Sequence, residues 1–135
     1  FNTNTLSRYL LKIAEKEFKH LNLSPAHASM LLLVYDTPGI SPKELSCRLN
    51  LTPSTITRFV DALEKKGLVS RKAKGKAAFI SASKKGLELK SPVAVAYKNL
   101  YLKYTKILGS DSANKLSFTI YSVNKKLSQF IANGE

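Results

Sequence analysis

The chain has 135 residues, with 22 Lys and Arg against 9 Asp and Glu, for a formal net charge of +13. That length suits one domain, or at most two small ones, with a real hydrophobic core, and 44% hydrophobic with 23% charged residues excludes a disordered tail. No apolar run approaches the ~18 residues that cross a bilayer, while the single cysteine, Cys47, excludes a disulfide framework or Cys-rich zinc module and points to a reducing, cytoplasmic setting.

Residues 5–21 carry Leu6, Tyr9, Leu10, Ile13, Phe18 and Leu21 at roughly helical spacing. Ser24-Pro25 follows: Ser is a good N-cap, and Pro fits the first helical position, where its missing N–H costs nothing. Residues 26–35 are mostly apolar, which predicts a central, buried helix stopped by Asp36-Thr37-Pro38-Gly39. Ser41-Pro42 repeats the start signal and opens a short helix through Leu49; Thr52-Pro53 opens a third, running to about Lys66 with Gly67 at its C-cap.

The period then changes. Residues 68–71 and 77–81 read as two short strands around residues 72–76, with Gly75 supplying the turn. Ser83 caps another helix, and Ser91-Pro92 marks a kink or restart in it. Val93, Tyr97, Leu100, Tyr104 and Ile107 form one stripe, Gly109 breaks the helix, and Ser110 is the expected next cap. The last helix carries Leu116, Ile120, Val123, Leu127, Phe130 and Ile131 on a clean stripe.

The charge is unevenly spread. Residues 1–64 are almost neutral at +1, residues 65–90 hold +8, and residues 91–135 hold +4. A patch this concentrated is the footprint of phosphate binding, with nucleic acid the first candidate and an anionic membrane surface the second.

The order helix, helix, short helix, helix, basic hairpin is a winged helix-turn-helix arrangement within a mainly α (α+β) fold. In such an arrangement the second helix of the helix-turn-helix enters the DNA major groove and the hairpin reaches phosphates or the minor groove. At 100° per residue, Ile56, Phe59, Val60 and Leu63 cluster on one face of the helix opened by Pro53 and are expected in the core. Ser54, Arg58, Asp61 and Lys65 lie opposite, flanked by Thr55 and Thr57. Short hydroxyls suit phosphates and base edges, and Arg58 suits bidentate guanine recognition. Ser54 and Thr55 also suit ordinary helix capping, and Arg58 a solvated surface. The hairpin contributes Arg71, Lys72, Lys74 and Lys76 with no acid, which favours affinity over sequence specificity. The candidate DNA contacts are therefore Ser54, Thr55, Thr57, Arg58, Lys65, Arg71, Lys72, Lys74 and Lys76.

These residues stand in a longer pattern: Leu23-Ser24-Pro25, Leu31-Leu32-Leu33, residues 38–45 (PGISPKEL), residues 51–61 (LTPSTITRFVD) and residues 63–69 (LEKKGLV). Together they resemble the MarR family of transcriptional regulators over essentially the whole chain. The resemblance implies a winged-helix domain at residues 22–90 and a dimerisation region made of residues 1–21 and 91–135. It further implies a homodimeric repressor or activator that binds pseudo-palindromic double-stranded DNA and responds to a small-molecule effector. The hairpin departs from the family: residues 72–76 read Lys-Ala-Lys-Gly-Lys, without the Asp-x-Arg-Arg motif. Arg71 is then the substitute partner for Asp61, the acid of the recognition helix.

No Walker loop, dinucleotide fingerprint, HExxH or nucleophile elbow is present, so the sequence reads as a non-enzyme without cofactor. His20 and His27 lack neighbouring cysteines or clustered acids and make a weak metal site, and Cys47 reads as an ordinary small residue. Tyr9, Tyr97, Tyr101 and Tyr104 suit either a ligand pocket or plain packing, so the effector pocket stays unassigned. The rival reading is a winged helix turned protein-interaction module, against which the all-basic hairpin argues.

Overall fold

The computed structural model describes residues 1–134. Helix α1 (Asn2–Phe18) runs into a short 3-10 turn (Lys19–Leu21), followed by α2 (Pro25–Asp36), α3 (Pro42–Leu49) and α4 (Pro53–Lys65). Strands β1 (Val69–Lys74) and β2 (Ala77–Ala82) form an antiparallel hairpin, and α5 (Lys84–Glu88), α6 (Lys90–Leu108) and α7 (Ser110–Ala132) complete the chain. It is a mostly helical winged helix-turn-helix fold.

Local chemistry explains the helix starts. Ser24, Ser41 and Thr52 each accept a hydrogen bond from the backbone N–H three residues on, and each is followed by Pro at the first helical position. Ser83 caps α5 in the same way through Gly86 N. The restart expected near Ser91-Pro92 is present one residue earlier, at Lys90, so that Pro92 sits in the first turn of α6, where a missing N–H is harmless. Gly109, at φ +82°, is itself the N-cap of α7, so Ser110 is the first helical residue and makes no side-chain cap. Helix α1 begins three residues earlier than its apolar pattern, at Asn2.

The chain divides into two compact units, Phe1–Tyr97 and the residues from Lys98 onward. In the first, α2 buries Ala28, Met30, Leu31 and Val34, as its continuous apolar run predicts. Around it lie Phe18 of α1, Leu45 of α3, Ile56, Val60 and Leu63 of α4, Ile80 of β2 and Val93 of α6. Phe59 differs from its expected core placement: it is half-buried, with its ring edge-on to His27 at 5.0 Å. In the second unit, α7 has no buried residue, and Phe118, Tyr121, Leu127, Phe130 and Ile131 are all exposed.

The hairpin is longer than the sequence suggests, because β1 reaches Lys74 and leaves a two-residue turn at Gly75-Lys76. Gly75 takes φ +63°, a conformation that suits glycine at the first position of a tight hairpin turn. The hairpin is fastened to the helices through Ile40, whose backbone bridges Ile80: Ile80 N donates to Ile40 O at 3.0 Å, and Gly39 N donates to Ile80 O at 2.9 Å.

Candidate nucleic-acid interface

The turn between α3 and α4 is compact. Asn50 adopts a left-handed conformation (φ 52°), and Ser46 Oγ donates to Leu51 O. These contacts aim the N-terminus of α4 outward. Its first turn contains no acidic residue, so the partial positive charge of the helix end is not neutralised locally.

A hydroxyl cluster sits on this end. Thr52 Oγ1 lies 3.2 Å from Ser54 Oγ and 2.9 Å from Thr55 Oγ1, and Arg58 Nη2 donates to Thr55 Oγ1 at 3.4 Å. Ser54, Thr55 and Arg58 are thus joined through Thr52, which the sequence identifies only as a cap. Its place as a hub follows from the spacing Thr52, Ser54, Thr55, because a cap side chain folds over the first helical turn. Thr57 Oγ1 donates to Pro53 O at 3.0 Å, which leaves its oxygen lone pairs free to accept. Ser54, Thr57 and Arg58 are exposed and Thr55 is half-buried.

The hairpin divides its cations between two faces. Alternation along β1 puts Val69, Arg71 and Ala73 on one face, and Ser70, Lys72 and Lys74 on the other. Arg71 points back to α4, where Nη2 donates to Asp61 Oδ1 at 2.5 Å. The substitute pairing of Arg71 with Asp61 is therefore present in the changed hairpin. Lys72, Lys74 and Lys76 are exposed, and Lys72 is opposite the partly exposed Phe79.

Lys65 stands apart from the other candidates. It shares the helical face of Arg58 but lies eleven residues beyond Ser54, about 16 Å along the axis, at the opposite end of α4. There it lines a hollow with Lys66 and Lys85. Lys66 Nζ donates to Asn22 O, and Lys85 Nζ donates to Lys66 O at 3.1 Å. Part of the charge excess of residues 65–90 therefore holds the molecule together at the base of α4.

His27 packs beside this base. Its Nδ1 is buried without a hydrogen-bond partner, and burial, followed by the charge of Lys66, pushes its pKa below the usual histidine value. Among the described residues, no group of three or more His, Cys, Asp or Glu side chains could hold a metal ion, and no helix is long and apolar enough to cross a membrane.

Residues 23–75 match the MarR family. An HTH-type transcriptional repressor, YetL of Bacillus subtilis (strain 168), is 35% identical over 69 residues, covering 50% of this chain and 41% of its own length. The chain thus matches less than half of that relative. Among solved structures, a mutant MarR from E. coli complexed with operator DNA superposes with a TM-score of 0.81 at 19% identity, covering 90% of this chain and 89% of that one. CouR from Rhodococcus jostii RHA1, bound to p-coumaroyl-CoA, superposes with a TM-score of 0.78 at 22% identity, covering 91% and 88%.

Proposed function

We propose, from the match of residues 23–75 to the MarR family, that the protein is a transcriptional regulator that binds double-stranded DNA in a sequence-specific manner. The observation that carries this reading is the acid-free N-terminus of α4, which presents Ser54, Thr55, Thr57 and Arg58 beside a hairpin ending in Lys72, Lys74 and Lys76. Arg58 and the hydroxyls read base edges and position phosphates, and the hairpin lysines add affinity.

In this reading residues 22–90 contact DNA, while residues 1–21 and 91–135 pair two copies on a pseudo-palindromic site in the cytoplasm. The uncovered apolar stripe of α7 supports the pairing. A small-molecule effector belongs to the same reading, supported by the ligand-bound state of CouR.

Selection from random duplex DNA, followed by a salt-titrated gel shift, tests the proposal. Arg58→Ala is expected to cost about 1–3 kcal/mol on the selected site and less on random duplex, whereas Lys74→Ala weakens both alike and lowers the salt slope by about one. Failure to bind any duplex at low salt overturns the reading, and equal losses for Arg58→Ala on both duplexes remove its readout role.

A further inference from the structure

The hollow at the base of α4 has features of a ligand site. It measures about 540 Å³ and lies within the first compact unit, between the 3-10 turn after α1, the end of α4 and the start of α5. Leu21, Leu68 and Leu89 provide apolar lining, and Lys65, Lys66 and Lys85 provide three ammonium groups. The one acid in the lining, Glu88, is exposed and forms no ion pair with the three lysines.

Two of these ammonium groups are already oriented. Lys66 Nζ is held by Asn22 O and Lys85 Nζ by Lys66 O. An ammonium has three donors, so each retains N–H groups for a further acceptor. Charge of one sign around an apolar floor is complementary to an anion that carries an apolar body.

We propose that this hollow binds a small amphipathic anion, with a carboxylate or phosphate monoester head on the three lysines and an apolar body against Leu21, Leu68 and Leu89. The site explains why Lys65, on the reading face of α4, is stationed at the far end from Ser54. An anion drawing on Lys66 and Lys85 also pulls on the ties that join the end of α4 to Asn22 and to α5. Any effect on DNA rests on the DNA-binding reading above. Occupancy does not, so it is measured on the protein alone.

The test is an amide NMR titration of the full chain with hexanoate and with hexyl phosphate, using hexan-1-ol as the neutral control. Saturable shifts centred on Lys66, Gly67, Leu68 and Lys85 are expected for at least one of the two anions, and which one binds more tightly identifies the head group. Hexan-1-ol is expected to leave these amides unmoved. K65Q/K85Q, which removes two of the three charges, is expected to weaken binding at least about tenfold in a partly solvated site. Because Lys85 also braces α5, a second readout uses the unmodified chain. Lys66 lines the neighbouring hollow around His27, with Glu15 and Lys19 also facing it. An anion on Lys66 relieves its repulsion of the imidazolium, so the His27 pKa rises when the site fills. Non-saturable shifts, equal shifts with hexan-1-ol, an unmoved His27 titration, or unchanged affinity in a folded K65Q/K85Q protein overturn the proposal.

Discussion

Arg71 of β1 and Asp61 of α4 meet at 2.5 Å, and this pair ties the hairpin to α4. Both side chains are partly exposed, at 33% and 58%, so the pair contributes little to global stability. Its effect falls on geometry. Arg71→Ala and Asp61→Ala are each expected to lower stability by no more than about 1 kcal/mol. On the DNA-binding reading both are expected to weaken DNA binding, and the double variant to weaken it little further, because either change alone breaks this one tie between the hairpin and α4. Denaturant melts and gel shifts on the four proteins measure this; additive losses in DNA affinity would show that Arg71 acts as an independent phosphate contact.

Gly86 is required for close packing, not for turn formation. A Cβ placed there would lie 1.9 Å from Leu68 O, and that carbonyl is held in place by the backbone N–H of Ser83 at 3.0 Å. Gly86 O also accepts from the Tyr35 hydroxyl at 2.7 Å. The atoms such a Cβ would meet are all Leu68 backbone, not the far end of a flexible side chain. Gly86→Ala is expected to destabilise the fold by about 1–3 kcal/mol, the range for overpacking a closed contact. A shifted denaturation midpoint at constant slope would record it, and an unchanged midpoint would mean that α5 moves away from the Leu68 carbonyl at no cost.

Much of this arrangement is legible in the sequence because it is local. Ser24-Pro25, Ser41-Pro42 and Thr52-Pro53 each place a cap and a helix start within two residues, and all three hold. What the sequence conceals depends on direction or distance. Gly109 and Ser110 both suit a helix start, and only backbone geometry selects Gly109. The Ile40–Ile80 bridge joins residues forty apart, and nothing near Ile40 marks it as the hairpin's anchor. Counting charge finds the lysines of residues 65–90 but not where they aim, so Lys65 reads as a neighbour of Arg58 although it lines the hollow at the other end of the helix.

His27 makes stability depend on pH in a defined direction. Its pKa in the folded chain is lowered, first by burial and then by Lys66, below the ordinary value of 6.5. The unfolded chain therefore binds a proton more readily near and below pH 6.5. The stabilisation is fully present above that pH and is lost as the pH falls through the folded-state value. Thermal melts between pH 7.5 and pH 5.5 are expected to show a larger fall for the native chain than for His27→Gln. Parallel curves for the two proteins would mean that the imidazole titrates alike in both states.

Helix α7 presents the strongest case for a second copy of the chain. It is 23 residues long and buries none of them. Ile120, Val123, Leu127, Phe130 and Ile131, which recur at helical spacing on one stripe, remain between 36% and 74% exposed. A helix takes most of its stability in water from packing an apolar face, and a contiguous exposed face of this kind marks an interaction surface. The native chain is expected to sediment at twice 14.9 kDa. Leu127→Asp with Ile131→Asp places two charges in that face and is expected to shift the protein to monomer and reduce its helical signal. On the DNA-binding reading, affinity should fall with it, since two α4 helices held about 34 Å apart would bind one operator more tightly than a lone one. A native chain that sediments at 14.9 kDa, or a doubly charged variant that stays dimeric, would place the copy-to-copy contact elsewhere or remove it.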